Sequence, residues 1–152
     1  MREITLRVIG TPVAKGSAKA FYIKALNRTM VTQTNADKQK PWVSSISMDA
    51  IKANAGFIPS RGRIFIKEMK FLFPRPKCHF GSGKNANNLK PYAPIFHTNK
   101  PDIDKLERCV LDALTGIVWV DDSQVCVVSN KSKVWANEHP GVELTIMVED
   151  KA

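Results

Sequence analysis

The sequence predicts an α+β fold in which two helices pack on a single mixed sheet of about four to six strands. Several segments alternate apolar and polar residues, as half-buried strands do, and two others repeat apolar residues at spacings of three and four, as helices do. One pair of strand-like segments is close enough in the chain to form a hairpin. The 152 residues, of which 43% are hydrophobic, can bury one substantial core, so we expect a single domain over residues 1–152.

The first half of the chain is predicted to contain a strand, a hairpin and a helix. Residues 3–9 alternate and predict the strand, and β-prone residues at 20–24 and 29–33 flank a turn. Residues 39–55 repeat apolar side chains at helical spacing. Pro41 is expected in the first turn of that helix, where a backbone N–H would have no intrahelical partner.

The second half adds a long strand, a loop, a helix and two strands. Residues 63–73 alternate and predict the long strand. Residues 74–100 are rich in proline and contain no acidic residue, which predicts a basic loop that is either functional or a solvated insertion. Residues 104–114 have helical spacing, and residues 124–135 and 141–148 each predict a strand.

Charge is unevenly distributed along the chain. The formal net charge is +9, yet residues 60–100 carry +8 and residues 101–152 carry −5. The carboxylates that gather within residues 101–122 are Asp102, Asp104, Glu107, Asp112, Asp121 and Asp122. The basic remainder suits a polyanion, which favours nucleic acid as the partner.

One interpretation of these carboxylates is structural. Asp102 would cap the predicted helix, and Asp104 and Glu107 would complement the positive end of its dipole. Asp121 and Asp122 would be ordinary turn residues ahead of a strand. Under this interpretation the protein is a nonenzymatic basic module that binds nucleic acid.

A catalytic interpretation brings the same side chains together. The segment after the helix is long enough to return to the helix start, which would place the turn at Asp121 and Asp122 beside Asp102. Clustered carboxylates repel one another unless a cation lies between them, and oxygen ligands select hard ions such as Mg²⁺. The sequence therefore also permits a metal site that acts on a nucleic-acid phosphodiester.

The run KPDIDKLERCVLDALTGIVWVDDSQV resembles the signature of the RusA family of Holliday-junction resolvases. That signature reads roughly D-x-D-N-L-x-K, then D-A-L, then W-x-D-D-x-Q-V, and all three pieces occur here in the family's order and spacing. The segments TPVAKGSAK and KQKPWV also look like phage members of the family. The resemblance implies a RusA-like fold.

The resemblance also implies an activity and an assembly. It implies a homodimeric, Mg²⁺-dependent endodeoxyribonuclease, with Mn²⁺ as a substitute metal, that nicks four-way DNA junctions symmetrically in DNA recombination and repair. We expect a cytoplasmic protein of a bacterial host, with phage, prophage or chromosomal origin left open. The start of the chain does not read as a signal peptide, and the three cysteines lack the spacing of a disulfide framework or a zinc site.

The family's functional residues can be carried over by position. Its essential acidic residues fall on Asp102, Asp104 and Asp122, and Asp121 is expected as a weaker metal ligand or a supporting group. These four are the predicted metal ligands, and the first three are also predicted to be catalytic.

Two basic positions differ from the family pattern. Lys105 stands where asparagine is usual, and Arg108 stands where a functional lysine is usual. Arginine keeps its proton near neutral pH, so Arg108 could clamp a phosphate but could not act as an acid or base, and Lys105 is the candidate for that role. His97 either assists proton transfer or is a satisfied loop histidine. The residues expected to contact DNA phosphates are Lys15, Lys19, Arg61, Arg63, Arg75, Lys77, Lys84, Lys90 and Lys100.

Overall fold

A computed structural model describes residues 1–16, 18–33 and 35–152, and for Ala18, Lys19, Thr32 and Gln33 it describes the backbone alone. It confirms the α+β class, with two helices and a mixed five-stranded sheet. In chain order the elements are β1 (Arg2–Ile9), β2 (Ala18–Ile23), β3 (Arg28–Gln33), α1 (Ala36–Ala53), β4 (Ile64–Phe73), α2 (Ile103–Leu114), β5 (Val125–Val128), β6 (Lys131–Trp135) and β7 (Gly141–Val148).

The main sheet has β4 near its centre. Strands β1, β7 and β4 are neighbours and antiparallel, while β5 and β6 both pair with β4 in parallel. Alternate residues of β1, β4 and β7 point to one face, where Val8, Phe71 and Ile146 are fully buried. Ile46 of α1 and Leu106 of α2 belong to the same core, so both helices cover that face.

The single strand predicted over residues 124–135 is wrong, because the chain divides there into β5 and β6. β5 pairs with residues 64–66 of β4 and β6 pairs with residues 69–73, and the register of β4 against β7 shifts between Ile66 and Glu68, where one pairing ends and the next begins. Asn130 lies in the break between β5 and β6 with a left-handed backbone, φ 48°, and its side-chain amide donates to the Lys67 carbonyl at 3.1 Å. A sequence pattern in residues 124–135 does not report the irregularity of a strand sixty residues earlier.

Helix α1 begins at Ala36, so the expected place of Pro41 in its first turn is wrong. The helix extends back because the Asn35 carbonyl accepts from the backbone N–H groups of Lys38 and Gln39, at 3.1 and 2.8 Å. Pro41 therefore lies inside the helix and removes one of its backbone hydrogen bonds. Trp42, Ile46 and Ala50 still form the buried face.

The expected long loop at 74–100 is present, with two single turns of 3₁₀ helix as its regular structure. Its end pairs with the edge of β6, since the His97 N–H donates to the Lys133 carbonyl at 3.0 Å and the Trp135 N–H donates to the Ile95 carbonyl at 2.9 Å. This pairing leads the chain into the start of α2. Across the described residues, no helix has the length and apolar character that crossing a membrane requires.

Candidate active site

Two acidic side chains stand at the start of α2. Asp102 occupies the N-cap position, with φ −70° and ψ 142°, but its side chain makes no capping hydrogen bond. Asp104 follows in the first turn, and both residues are exposed because the opposite face of α2 carries the buried side chains. The capping role considered for Asp102 is therefore not what its carboxylate does here.

Asp102 and Asp104 line one cavity of about 550 Å³ between α2 and the edge strand β6. Lys131, Lys133 and His97 line it as well, so two acidic and two basic residues border the same cavity. The lysines come from the helix-facing side of β6, where they lie opposite Met69 and Phe71 of β4 in the sheet register and therefore share the face of those buried side chains. The cavity is a charged cleft at the meeting point of the sheet edge and a helix N-terminus.

The two lysines were not among the sequence-predicted site residues. Lys131 forms an ion pair with Glu107 of α2. The Lys133 ammonium donates to the backbone carbonyls of Asn99 and Pro101, at 2.6 and 2.7 Å. Lys133 thus fixes the segment immediately before Asp102. The alternation of Lys131 and Lys133 with other residues of β6 was visible in the sequence. The pairing of β6 with β4, which brings both lysines beside α2, was not.

His97 is packed into the protein beside the cavity. Only 7% of it is exposed, its ring stacks on Phe73 with centroids 4.1 Å apart, and it contacts Trp135 at 4.4 Å. Burial, and then the positive charge of Lys133, lower the pKa of His97 below its ordinary value of 6.5. The imidazole is therefore neutral at neutral pH.

Asp122 lies at the other end of α2. Its Oδ1 accepts a hydrogen bond from the hydroxyl of Thr115, the residue that ends the helix, and another from the Trp119 indole N–H at 2.9 Å. Asp121 caps the single 3₁₀ turn that follows, accepting from the Ser123 N–H at 2.8 Å. Hydrogen bonding to Ser123, first to its side chain and then to its backbone N–H, lowers the pKa of the Asp121 carboxyl.

The expected meeting of Asp121 and Asp122 with Asp102 inside one chain is wrong. The twelve residues of α2 span about 18 Å at ~1.5 Å per residue, and the two groups of acids lie at opposite ends. The chain cannot run back along the helix because it turns at Gly116, φ 83°, whose N–H donates to the Trp119 carbonyl at 2.7 Å. Accordingly, within the described ranges no three His, Cys, Asp or Glu side chains converge to hold a metal ion.

The two basic candidates on α2 have different surroundings. Lys105 is half-buried and lines a second, smaller cavity with Lys15, Lys100 and Asp102. Its backbone carbonyl accepts from the Lys15 N–H at 3.0 Å. Arg108 is exposed one turn further along the helix. Lys105 is thus the one of the two that shares a cavity with Asp102.

Three of the residues that were predicted to contact DNA make hydrogen bonds or ion pairs with other groups of the same chain. The Lys15 ammonium lies 2.9 Å from the Asp112 carboxylate. Arg63 pairs with Glu149 at 3.1 Å and lowers the pKa of that carboxyl to about 2. The Arg75 guanidinium donates to the Pro94 carbonyl at 2.7 Å and to the Asn137 side chain at 3.2 Å, so it ties the long loop to the segment between β6 and β7.

The other predicted DNA contacts are exposed. These residues are Arg61, Lys77, Lys84, Lys90 and Lys100. Most lie in or next to the loop at 74–100, whose end borders the cavity of Asp102 and Asp104. The side chain of Lys19 is outside the described residues. The exposed set remains a prediction of DNA contact.

The family described as Endodeoxyribonuclease RusA matches residues 10–147. The chain belongs to the RusA family. It is also similar to YqaN of Bacillus subtilis (strain 168), described as an uncharacterized protein, with 28% identity over 143 residues that cover 94% of each chain. The matched range includes β2, β3, both helices and all the acidic residues at the two ends of α2.

RusA resolvases generally use a divalent metal ion, and the donors of this chain suit one. Mg²⁺ is commonly held by one or two carboxylates, with waters and phosphate oxygens as the remaining ligands. Asp102 and Asp104 provide two carboxylates that line one cavity and make no cap. Asp122 engages its described donors through Oδ1, so Oδ2 is the oxygen it can offer. The chemistry of the donors fits, although one chain does not gather all three.

Proposed function

We propose that this RusA-family protein is a structure-selective endodeoxyribonuclease that resolves four-way DNA junctions by Mg²⁺-dependent paired nicking, with Mn²⁺ as a substitute metal. The observation that carries the proposal is the single cavity that Asp102, Asp104, Lys131 and Lys133 line together. It combines donors for a hard cation with positive charge for a phosphate, and it lies in a chain of an endodeoxyribonuclease family.

The residues around the cavity have separate roles in this proposal. Asp102 and Asp104 hold the divalent cation, which when bound would activate water and neutralise charge on the phosphate. Lys133 keeps the backbone before Asp102 in place through its two carbonyl contacts. Lys105, in the adjoining cavity, and the exposed Arg108 bind phosphates that flank the cut.

The separation of the acids supports a homodimer. Within one chain, Asp102 and Asp122 lie at opposite ends of α2, whose axis is about 18 Å long. A two-fold axis beside α2 would exchange the two ends of the helix and bring the partner's Asp122 to Asp102 and Asp104. The same symmetry would supply the two active sites that paired nicks require.

The function is tested by incubating the protein with a synthetic four-way junction and, separately, with linear duplex of the same sequence. We expect symmetric nicks in the junction when Mg²⁺ is present, none when it is removed by chelation, and little cleavage of linear duplex. Junction binding that persists without any cleavage in Mg²⁺ or Mn²⁺ would contradict the proposal and favour a nonenzymatic DNA-binding protein.

A further inference from the structure

The β2–β3 hairpin is a separate arm of the molecule. Its two strands pair with each other and, among the described strands, with none of the main sheet. It exposes large apolar side chains, with 44% of Phe21, 59% of Tyr22, 55% of Leu26 and 68% of Val31 accessible. None of these four packs in the core. An isolated two-stranded ribbon is marginal in water, so exposed apolar residues on it call for a partner.

The charge of the hairpin indicates that its partner is negatively charged. Residues 10–36 contain four basic side chains and no acidic one. Lys24 and Arg28 bracket the turn at the tip, and both are exposed. A polyanion therefore complements the charge of this arm.

The base of the hairpin lies beside the candidate active site. The Lys15 N–H donates to the Lys105 carbonyl of α2, and Gly16 and Asn35, on the two sides of the hairpin, line a cavity of about 230 Å³ with Asp102. A strand of six residues spans about 20 Å. DNA held at Asp102 is therefore within reach of the exposed aromatic side chains.

We propose that the β2–β3 hairpin binds the branch point of the DNA, with Phe21 and Tyr22 against unstacked bases and with Lys24 and Arg28 on the flanking phosphates. This inference rests on the proposed function. Base stacking is weakened where the strands of a junction cross, so aromatic side chains can separate the bases there and pack on their faces. Neighbouring residues of a strand point to opposite faces, so Phe21 and Tyr22 present one aromatic ring on each side of the ribbon.

The test uses junctions that carry 2-aminopurine, a base analogue whose fluorescence rises on unstacking, either at the branch point or within an arm. Binding is measured without divalent cation, so no strand is cut. For the wild type we expect a rise in fluorescence at the branch point and none within the arm. For F21A/Y22A we expect that rise to disappear and the affinity for the junction to fall about tenfold or more.

The matched control is M48S/I51S, which removes two apolar side chains of α1 that are each 59% exposed. It should keep the fluorescence rise and the affinity. K24Q/R28Q should make the dependence of log affinity on log salt shallower by up to about 0.9 for each phosphate that these side chains no longer neutralise. Because none of these side chains is in the core cluster, circular dichroism should show that all variants fold.

Three results would overturn the inference. The first is that F21A/Y22A binds the junction and raises branch-point fluorescence as the wild type does. If the wild type also nicks junctions normally, this result leaves the proposed function intact. The second is F21A/Y22A that changes the oligomeric state in light scattering, which would assign the hairpin to a protein interface. The third is a wild-type protein that neither binds nor nicks junctions, which would overturn the proposed function as well.

Discussion

At the scale of single residues, the two ends of α2 differ in how their carboxylates are held. Asp122 is fixed by the Thr115 hydroxyl and the Trp119 indole, both of which donate to Oδ1. Asp102 and Asp104 instead line an open cavity. A carboxylate that is already oriented needs little rearrangement to accept a ligand, whereas an exposed pair must be ordered by the cation it binds.

Replacing Asp104 with Asn tests the role of that exposed pair, because the change keeps the size of the side chain and removes the charge that holds a cation. We expect D104N to nick junctions at least about 100-fold more slowly than the wild type, with binding retained or strengthened. Rates from gel-resolved junction cleavage and affinities without divalent cation give the two measurements.

Asp112 provides the control for this substitution, since it lies on the same helix but pairs with Lys15. D112N should remove only a surface ion pair, worth about 0–1 kcal/mol of stability, and should nick at a rate close to that of the wild type. The assignment of Asp104 fails if D104N and D112N cleave equally well.

At the scale of elements, local sequence patterns predicted the helices and most strands. Pairing between distant segments determined which side chains meet at the site, and local patterns did not predict that. Helix α2 was predictable because its apolar residues repeat on one face, five of which are buried. Lys131 and Lys133 joined the site only through the parallel pairing of β6 with β4. The path after Gly116 was likewise missed, because burial of Trp119 in the core and its contact with Asp122 are tertiary features.

Burial of His97, at the point where the long loop attaches to β6, predicts that the stability of the protein depends on pH. The pKa of His97 is lower in the folded protein than its ordinary value of 6.5, because folding buries the ring near Lys133. The unfolded chain therefore takes up the proton first as the pH falls. The stability that the neutral ring supports is fully present above pH 6.5 and is lost as the pH falls from there through the lower pKa of the folded state.

Urea unfolding of the wild type and of His97→Phe between pH 8 and pH 5 measures this effect. The phenyl ring can stack on Phe73 and Trp135 but does not titrate, so the free energy of unfolding of the variant should depend less on pH in this range. His139→Gln, at an exposed position, should behave like the wild type. Equal pH dependence of H97F and the wild type would show that another group is responsible.

At the scale of the whole molecule, the separation of the acids along α2 and the distribution of charge are both compatible with the proposed two-fold dimer. One chain offers Asp102 and Asp104 at one end of the helix and Asp122 at the other. The loop at 74–100 and the hairpin are basic, and both border cavities that contain Asp102 or its neighbours. A two-fold dimer would complete each acidic site and surround both sites with positive charge.

The measurement that tests this account most directly is complementation between two inactive variants, D104N and D122N, assayed alone and after the mixed dimer has been formed by refolding the two together. If each active site combines Asp104 of one chain with the partner's Asp122, the mixed dimer has one intact site. It should then nick one strand of the four-way junction without completing resolution. Mixed dimers that stay as inactive as either variant alone would contradict the shared site.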